Sequence, residues 1–214
     1  MLKPRVLTIT AIVAVLAASR LVPHPWNFTP VTAMALFGGC CFARTRWAFA
    51  IPLAALVLSD IVLESTRYGF TQAFWVLAPF GYGCFLLTVA MGWWVRRQTR
   101  EGGQTDPAPQ RLDAPGPKTG LRFVYVGGAS LVASVLFFLV TNFAFWLLGL
   151  WMPEPLYPMS PVGLVTCYVA GLPFFGNALA GDLLYTLGVF GGFALLQHFV
   201  GALREEPAPQ LAVS

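Results

Sequence analysis

The sequence predicts an all-α polytopic membrane protein with six transmembrane helices and both termini on the cytoplasmic side. Three observations predict it. Of 214 residues, 57% are hydrophobic and only 10% charged, against roughly 25% charged in an average soluble domain. Mean hydropathy is +0.70, which points to lipid as the solvent. Charge-free stretches also recur at close to the ~20 apolar residues that cross a hydrocarbon core. The same figures exclude a soluble globule, a disordered chain and a collagen-like repeat. Cys40, Cys41, Cys84 and Cys167 are few and apolar in setting, with no CxxC, so neither a disulfide framework nor a zinc site is indicated. His24 and His198 are the only histidines. The net charge of +4 is read through its distribution along the spans and not as nucleic-acid affinity.

The first span, about 6–22, follows Lys3 and Arg5 and carries Ala14 and Ala18 on a small-xxx-small face. A cleaved secretory signal is disfavoured, because Arg20 directly follows Ala17-Ala18-Ser19 and removal would leave an odd span count. The second, 30–43, reaches only ~20 Å at 1.5 Å per residue, so it must lean on its neighbours or sit beside a thinned bilayer. Gly38-Gly39 and Cys40-Cys41 at its inner end read as small-residue packing. The third, 47–63, closes on Asp60 and Glu64. The fourth, 71–95, contains Pro79-Phe80-Gly81-Tyr82-Gly83-Cys84-Phe85. There a lost backbone donor and two glycines are expected to kink or open the helix.

Residues 98–120, with Gly102-Gly103, Pro107, Pro109, Pro115, Gly116 and Pro117, read as a flexible cytoplasmic linker. The fifth span is 123–150. Residues 160–175, bracketed by Pro161 and Pro173, are shorter than a span and read as a re-entrant or interfacial helix, a seventh span being the alternative. The sixth span, 177–200, carries Gly188 and Gly192 on a small-xxx-small face, and 201–214 is a cytoplasmic tail. Residues 1–200 form a single transmembrane domain.

Lys and Arg near span ends are retained on the cytoplasmic side, so their count tests this arrangement. Lys3, Arg5, Arg44, Arg46, Arg96, Arg97, Arg100, Arg111, Lys118, Arg122 and Arg204 fall inside; only Arg20 and Arg67 fall outside. The tryptophans lie near predicted ends, with Trp47, Trp93 and Trp94 inside and Trp26, Trp75, Trp146 and Trp151 outside. Interfacial belts have this distribution.

Polar residues within the spans gather in the outer half: Arg20, Asp60, Glu64, Asn142, Asn177 and Asp182. Ionisable groups at such depth usually pair or face a cavity, and Arg20 with Asp60 or Asp182 is the natural pairing. Taken singly, each charge reads equally well as helix glue. Aromatic, proline-rich loops on the same face, His24-Pro25-Trp26-Asn27-Phe28-Thr29-Pro30 and Glu154-Pro155-Leu156-Tyr157-Pro158, argue for an outward-facing small-molecule cavity. The opened fourth span would turn Cys84 towards it. A membrane cysteine is ordinarily a small apolar residue; its functional alternative is a soft sulfur ligand suited to a metal such as cobalt. No GxxxxGK[ST], GxSxG or HExxH occurs, which argues against a self-energised transporter and against a serine or zinc hydrolase.

From Arg20 to Gly39 (Arg-Leu-Val-Pro-His-Pro-Trp-Asn-Phe-Thr-Pro-Val-Thr-Ala-Met-Ala-Leu-Phe-Gly-Gly), the chain resembles a bacterial family of six-span proteins. Those proteins are in turn similar to substrate-binding S components of energy-coupling-factor transporters. Further matching stretches are Leu58-Ser59-Asp60, Thr141-Asn142-Phe143, Cys167-Tyr168-Val169-Ala170, Pro173-Phe174-Phe175 and Gly181-Asp182-Leu183-Leu184. The resemblance implies an S-component-like bundle in the bacterial inner membrane that binds a vitamin or metal near the outer face. It implies docking onto an energy-coupling-factor transmembrane/ATPase module through Ala14 and Ala18. Solitary relatives of S components take up cobalamin and ligate its cobalt with a cavity cysteine, a role that Cys84 would fill.

The function expected is thus uptake of a micronutrient, with cobalamin or another corrinoid the favoured ligand and no intrinsic cofactor. Cys84 is the expected cobalt ligand, and Asn27, Asp60, Asn142, Asp182, Tyr82 and Trp26 the remaining ligand-binding residues. The partners expected are the vitamin, the bilayer and the ATPase module, with no nucleic acid. The alternatives are a small membrane enzyme using Cys84 or Asp182, which lacks an evident general base, and a structural assembly subunit.

Overall fold

The computed structural model describes residues 3–101 and 117–204. They form six α-helices: α1 (Pro4–Ser19), α2 (Val31–Cys41), α3 (Thr45–Leu63), α4 (Gln72–Glu101), α5 (Pro117–Leu148) and α6 (Pro161–Phe199). A π-helical turn, Glu64–Tyr68, prolongs α3, and short 3-10 turns follow α5 and α6. Of the predicted linker, 98–101 end α4 and Pro117 opens α5; Gly102 to Gly116, like the tail beyond Arg204, lie outside the described residues.

Four helical stretches are long and apolar enough to cross a membrane: Thr45–Tyr68, Phe74–Thr99, Gly120–Trp151 and Pro161–Phe199. Large apolar side chains, among them Leu58, Trp75, Val132, Leu184 and Phe199, face outwards. In water such a surface would aggregate, whereas in lipid it is the solvated one. By helix length and hydropathy the chain is a multi-pass membrane protein.

All six expected helices are present, and four of them are supported as spans by length and hydropathy. The 16 residues of α1 cover about 24 Å and the 11 of α2 about 16 Å at the α-helical rise, less than a ~30 Å hydrocarbon core. Packing explains α2. Every residue from Ala33 to Phe42 is buried, so this helix is enclosed by protein and its length is not set by the bilayer.

Glycines permit the enclosure. A Cβ on Gly39 would overlap the Val89 carbonyl of α4, and one on Gly92 the Leu36 carbonyl of α2, so the two backbones touch there. Gly38 meets Pro52 of α3 in the same way. Phe37 packs edge-on against Phe190 and Phe193 of α6, at 5.5 and 5.2 Å between ring centres. At its C-terminus α2 leaves carbonyls without helical partners, and arginines from three other helices reach them. Arg5 donates to Cys41 O at 3.4 Å, Arg96 to Phe42 O at 3.2 Å and Arg122 to Cys40 O at 3.3 Å. The positive charges also face the negative end of the helix dipole. Arginines that the sequence marks only as topology signals therefore hold the central helix as well.

Two expectations are overturned. Residues 160–175 are neither re-entrant nor a separate span: α6 runs unbroken for 39 residues through Pro173, about 58 Å of helix. Its start is well made, with Pro161 in the first turn and the Ser160 hydroxyl accepting from Gly163 N at 3.2 Å. Proline removes one internal bond, which an otherwise apolar membrane helix tolerates. For the same reason α4 does not open: it stays helical from Gln72 to Glu101 through Pro79, Gly81 and Gly83. Gly188 and Gly192 bring no helix close, since nothing lies within 4 Å of a Cβ built on either.

Candidate functional site

At the end of the bundle opposite Arg5, Arg96 and Arg122 lies a cavity of about 630 Å³. Three helices wall it, each through residues three and four apart, which share one helix face. Helix α4 contributes Phe74, Leu77, Ala78 and Gly81; α5 contributes Ser134, Phe137, Phe138, Thr141, Asn142 and Phe145; α6 contributes Gly171, Phe174, Phe175 and Ala178. Asn27, Glu64, Tyr68 and Thr71 complete the lining, and of these Asn27, Tyr68 and Thr71 are exposed.

Local backbone chemistry positions the rim. Asn27 sits at φ 60°, the left-handed region that asparagine tolerates better than most residues. The π-turn closes with Gly69 N donating to Glu64 O at 2.7 Å, five residues back. With more residues per turn than an α-helix, it directs both Glu64 and Tyr68 at the cavity.

Behind this rim lies a partly buried ion pair. Arg20 Nη2 meets Asp60 Oδ1 at 2.6 Å, with both side chains largely shielded. Arg20 also donates to the Ser59 hydroxyl, and the Tyr82 hydroxyl donates to Asp60 Oδ2 at 2.9 Å. Helices α1, α3 and α4 are thereby joined by one polar network.

Beneath the cavity floor lies a second network. Ser134, itself part of the lining, donates to Asp182 Oδ2 at 2.5 Å. Asp182 follows Ala178 by one turn of α6 and is 6% exposed. A weaker contact, Ser130 to Thr186 at 3.4 Å, continues the seam between α5 and α6.

Asn142 is held on two sides. Its Nδ2 donates to Phe138 O at 2.8 Å. Its Oδ1 lies where a side chain on Gly171 would have to go, so the glycine makes room for the amide. Phe138 also packs on Phe175 at 4.7 Å between ring centres.

The expected site residues therefore divide. Asn27 and Asn142 line the cavity; Asp182 lies under its floor; Asp60 bonds both Tyr82 and Arg20 behind its wall. Trp26 is 72% exposed and lies outside the lining. Cys84 is 4% exposed and also lies outside the lining; an unbroken α4 does not turn it inwards as the expected opening would. What opens space on that helix is Gly81, which lines the cavity without a side chain. Among the described residues no three His, Cys, Asp or Glu side chains converge to hold a metal ion. Ala14 and Ala18 line a separate, almost wholly apolar groove of about 560 Å³ between α1 and α3.

The aromatic wall and Glu64 were missing from the expected ligand-binding set. Their signal is present in the sequence as the repeat of Ser134, Phe137, Phe138, Thr141, Asn142 and Phe145 at helical spacing, a mixed polar and aromatic stripe in an apolar helix.

No curated protein and no solved structure matches the chain. One family model matches, described as a family of unknown function (DUF6580), over residues 1–204. None of these comparisons links the chain to S components, so that resemblance rests on the quoted residues alone.

Proposed function

We propose that this chain, which belongs to DUF6580, a family of unknown function, is a membrane-embedded binding protein for a small amphipathic molecule. The observation that carries the reading is the convergence of three helix faces on one cavity of about 630 Å³. Small-molecule sites span roughly 300–1,000 Å³ and combine apolar walls with a few placed polar groups. Here phenylalanines supply the walls, and Asn27, Thr141, Asn142 and Ser134 supply the polar groups. Uptake of a micronutrient from the side away from the arginine-rich end is the role that best suits such a site. The apolar groove beside Ala14 and Ala18 suits contact with a membrane partner that completes transport. The reading is of binding and not catalysis, because Cys84 is buried outside the cavity and Asp182 is held beneath its floor. A corrinoid has less support than a smaller ligand, since cobalt ligation would require Cys84 to reach the cavity.

Native mass spectrometry of protein taken from cell membranes directly into nanodiscs tests the reading. A small molecule bound to the wild type, lost in Asn142→Ala and kept in Trp26→Ala, is expected. Equal occupancy, or equal emptiness, of wild type and Asn142→Ala would overturn it.

A further inference from the structure

We infer that the molecule taken by this cavity is an organic cation, an ammonium group attached to an apolar body. The inference rests on the binding reading above and gives the ligand its chemical class. Glu64 is the only Asp or Glu, and no Lys, Arg or His accompanies it, among the cavity-lining residues. Among the described residues its carboxylate makes no hydrogen bond or ion pair. The two arginines of this end bond other groups: Arg20 pairs with Asp60 and donates to Ser59 and the Leu56 carbonyl, and exposed Arg67 donates to the Leu21 carbonyl at 2.5 Å. Glu64 is half-buried at the exposed rim, so its carboxylate gives the cavity mouth a negative charge that faces the lining. Among the described residues no cation meets the Glu64 carboxylate, and the cavity is the space in which one could lie.

The walls select the same class. Six phenylalanines and Tyr68 line the cavity, and aromatic faces attract cations through their quadrupole. An anion would meet these faces and Glu64 with no compensating donor beyond amides and hydroxyls. A bare metal ion is disfavoured on other grounds. Hard cations take six or more oxygen ligands, whereas this lining offers one carboxylate among rings and a volume suited to an organic molecule. The π-turn that aims Glu64 and Tyr68 together supports the assignment independently, because such turns occur frequently at functional sites.

Full-length protein in phosphatidylglycerol nanodiscs is titrated with benzyltrimethylammonium, neutral N-benzylacetamide and anionic phenylbutanoate. The cation is expected to bind about tenfold more tightly than the neutral probe, and the anion most weakly. Glu64→Gln should remove the preference. Thr71→Lys, which adds a positive charge to the lining and leaves Glu64 in place, should weaken the cation selectively and serves if Glu64→Gln fails to fold. Displacement of the probe when phosphatidylethanolamine is added would identify a lipid headgroup as the ammonium source; no displacement would identify a free solute, and both accord with the inference. If the neutral or anionic probe binds as well as the cation, or Glu64→Gln keeps the preference, the cation inference fails and the binding reading stands. If no probe binds and no molecule copurifies, the binding reading itself fails.

Discussion

The hydroxyl of Tyr82 donates to Oδ2 of Asp60 at 2.9 Å, and Oδ1 of the same carboxylate receives Arg20 at 2.6 Å. One carboxylate thus ties α1, α3 and α4 behind the cavity wall. Removing a single donor leaves the ion pair in place, whereas removing the carboxylate strands a shielded arginine. Tyr82→Phe should therefore cost about 1–2 kcal/mol and Asp60→Ala about 3–5 kcal/mol. The double variant Arg20→Met/Asp60→Leu should recover most of the loss, because no charge is then left uncompensated. Unfolding in mixed micelles measures all three, and an Asp60→Ala protein as stable as wild type would refute the assignment.

Close backbone contact between α2 and α4 predicts a sharp contrast among glycines. Gly39→Ala and Gly92→Ala each place a Cβ against main chain of the facing helix, where nothing can yield without moving a helix. Each should lose about 1–3 kcal/mol or more. Gly188→Ala meets open space and should melt as wild type or slightly higher, since alanine is the better helix former. Thermal melts of the three variants check the ordering.

Thiol labelling tests where the cysteines lie. Cys40, Cys41, Cys84 and Cys167 are all buried, so a membrane-permeant maleimide should label the folded wild type slowly and the SDS-unfolded protein completely. Thr71→Cys, in the exposed part of the lining, should label at least about tenfold faster than Cys84. Rapid labelling of Cys84 in the folded protein would restore a thiol facing the cavity, and with it the case for a cobalt ligand.

Much of this architecture is legible in the sequence because lipid imposes a simple rule: long apolar stretches separated by polar loops. The rule locates α1, α2 and α3 to within a few residues, and misses the arginine-bearing ends of α4 and α5, where the helices run on past the apolar stretch. It fails at Pro173, because a proline read as a boundary is absorbed in a helix whose neighbours are apolar. It fails for the same reason at Pro79. Asp60 and Asp182 stand out by charge, yet charge does not say whether a carboxylate faces a ligand or a serine. The sequence offers Asp60 or Asp182 as the partner of Arg20; tertiary placement selects Asp60, adds Tyr82 to it, and bonds Asp182 to Ser134. Phe138 and Phe174 illustrate the opposite failure. In a chain with 18 phenylalanines, no single ring is distinctive until helix spacing is used to group them.

Asn142 and Gly171 should behave as one unit. A methyl group on Gly171 would meet the Asn142 Oδ1 and the Phe138 ring, so Gly171→Ala must displace an amide that lines the cavity without contributing a new polar group. The expected result is a loss of probe affinity comparable to that of Asn142→Ala, about tenfold for one well-placed hydrogen bond. The two substitutions should not add: once Asn142 has been cut back to alanine, the Gly171 methyl meets only the edge of the Phe138 ring, which can shift slightly, and the double variant should bind about as well as Asn142→Ala alone. Titrating the four proteins of this cycle with the same probe measures the coupling. Additive losses would mean that Gly171 acts on binding by some route other than the Asn142 side chain.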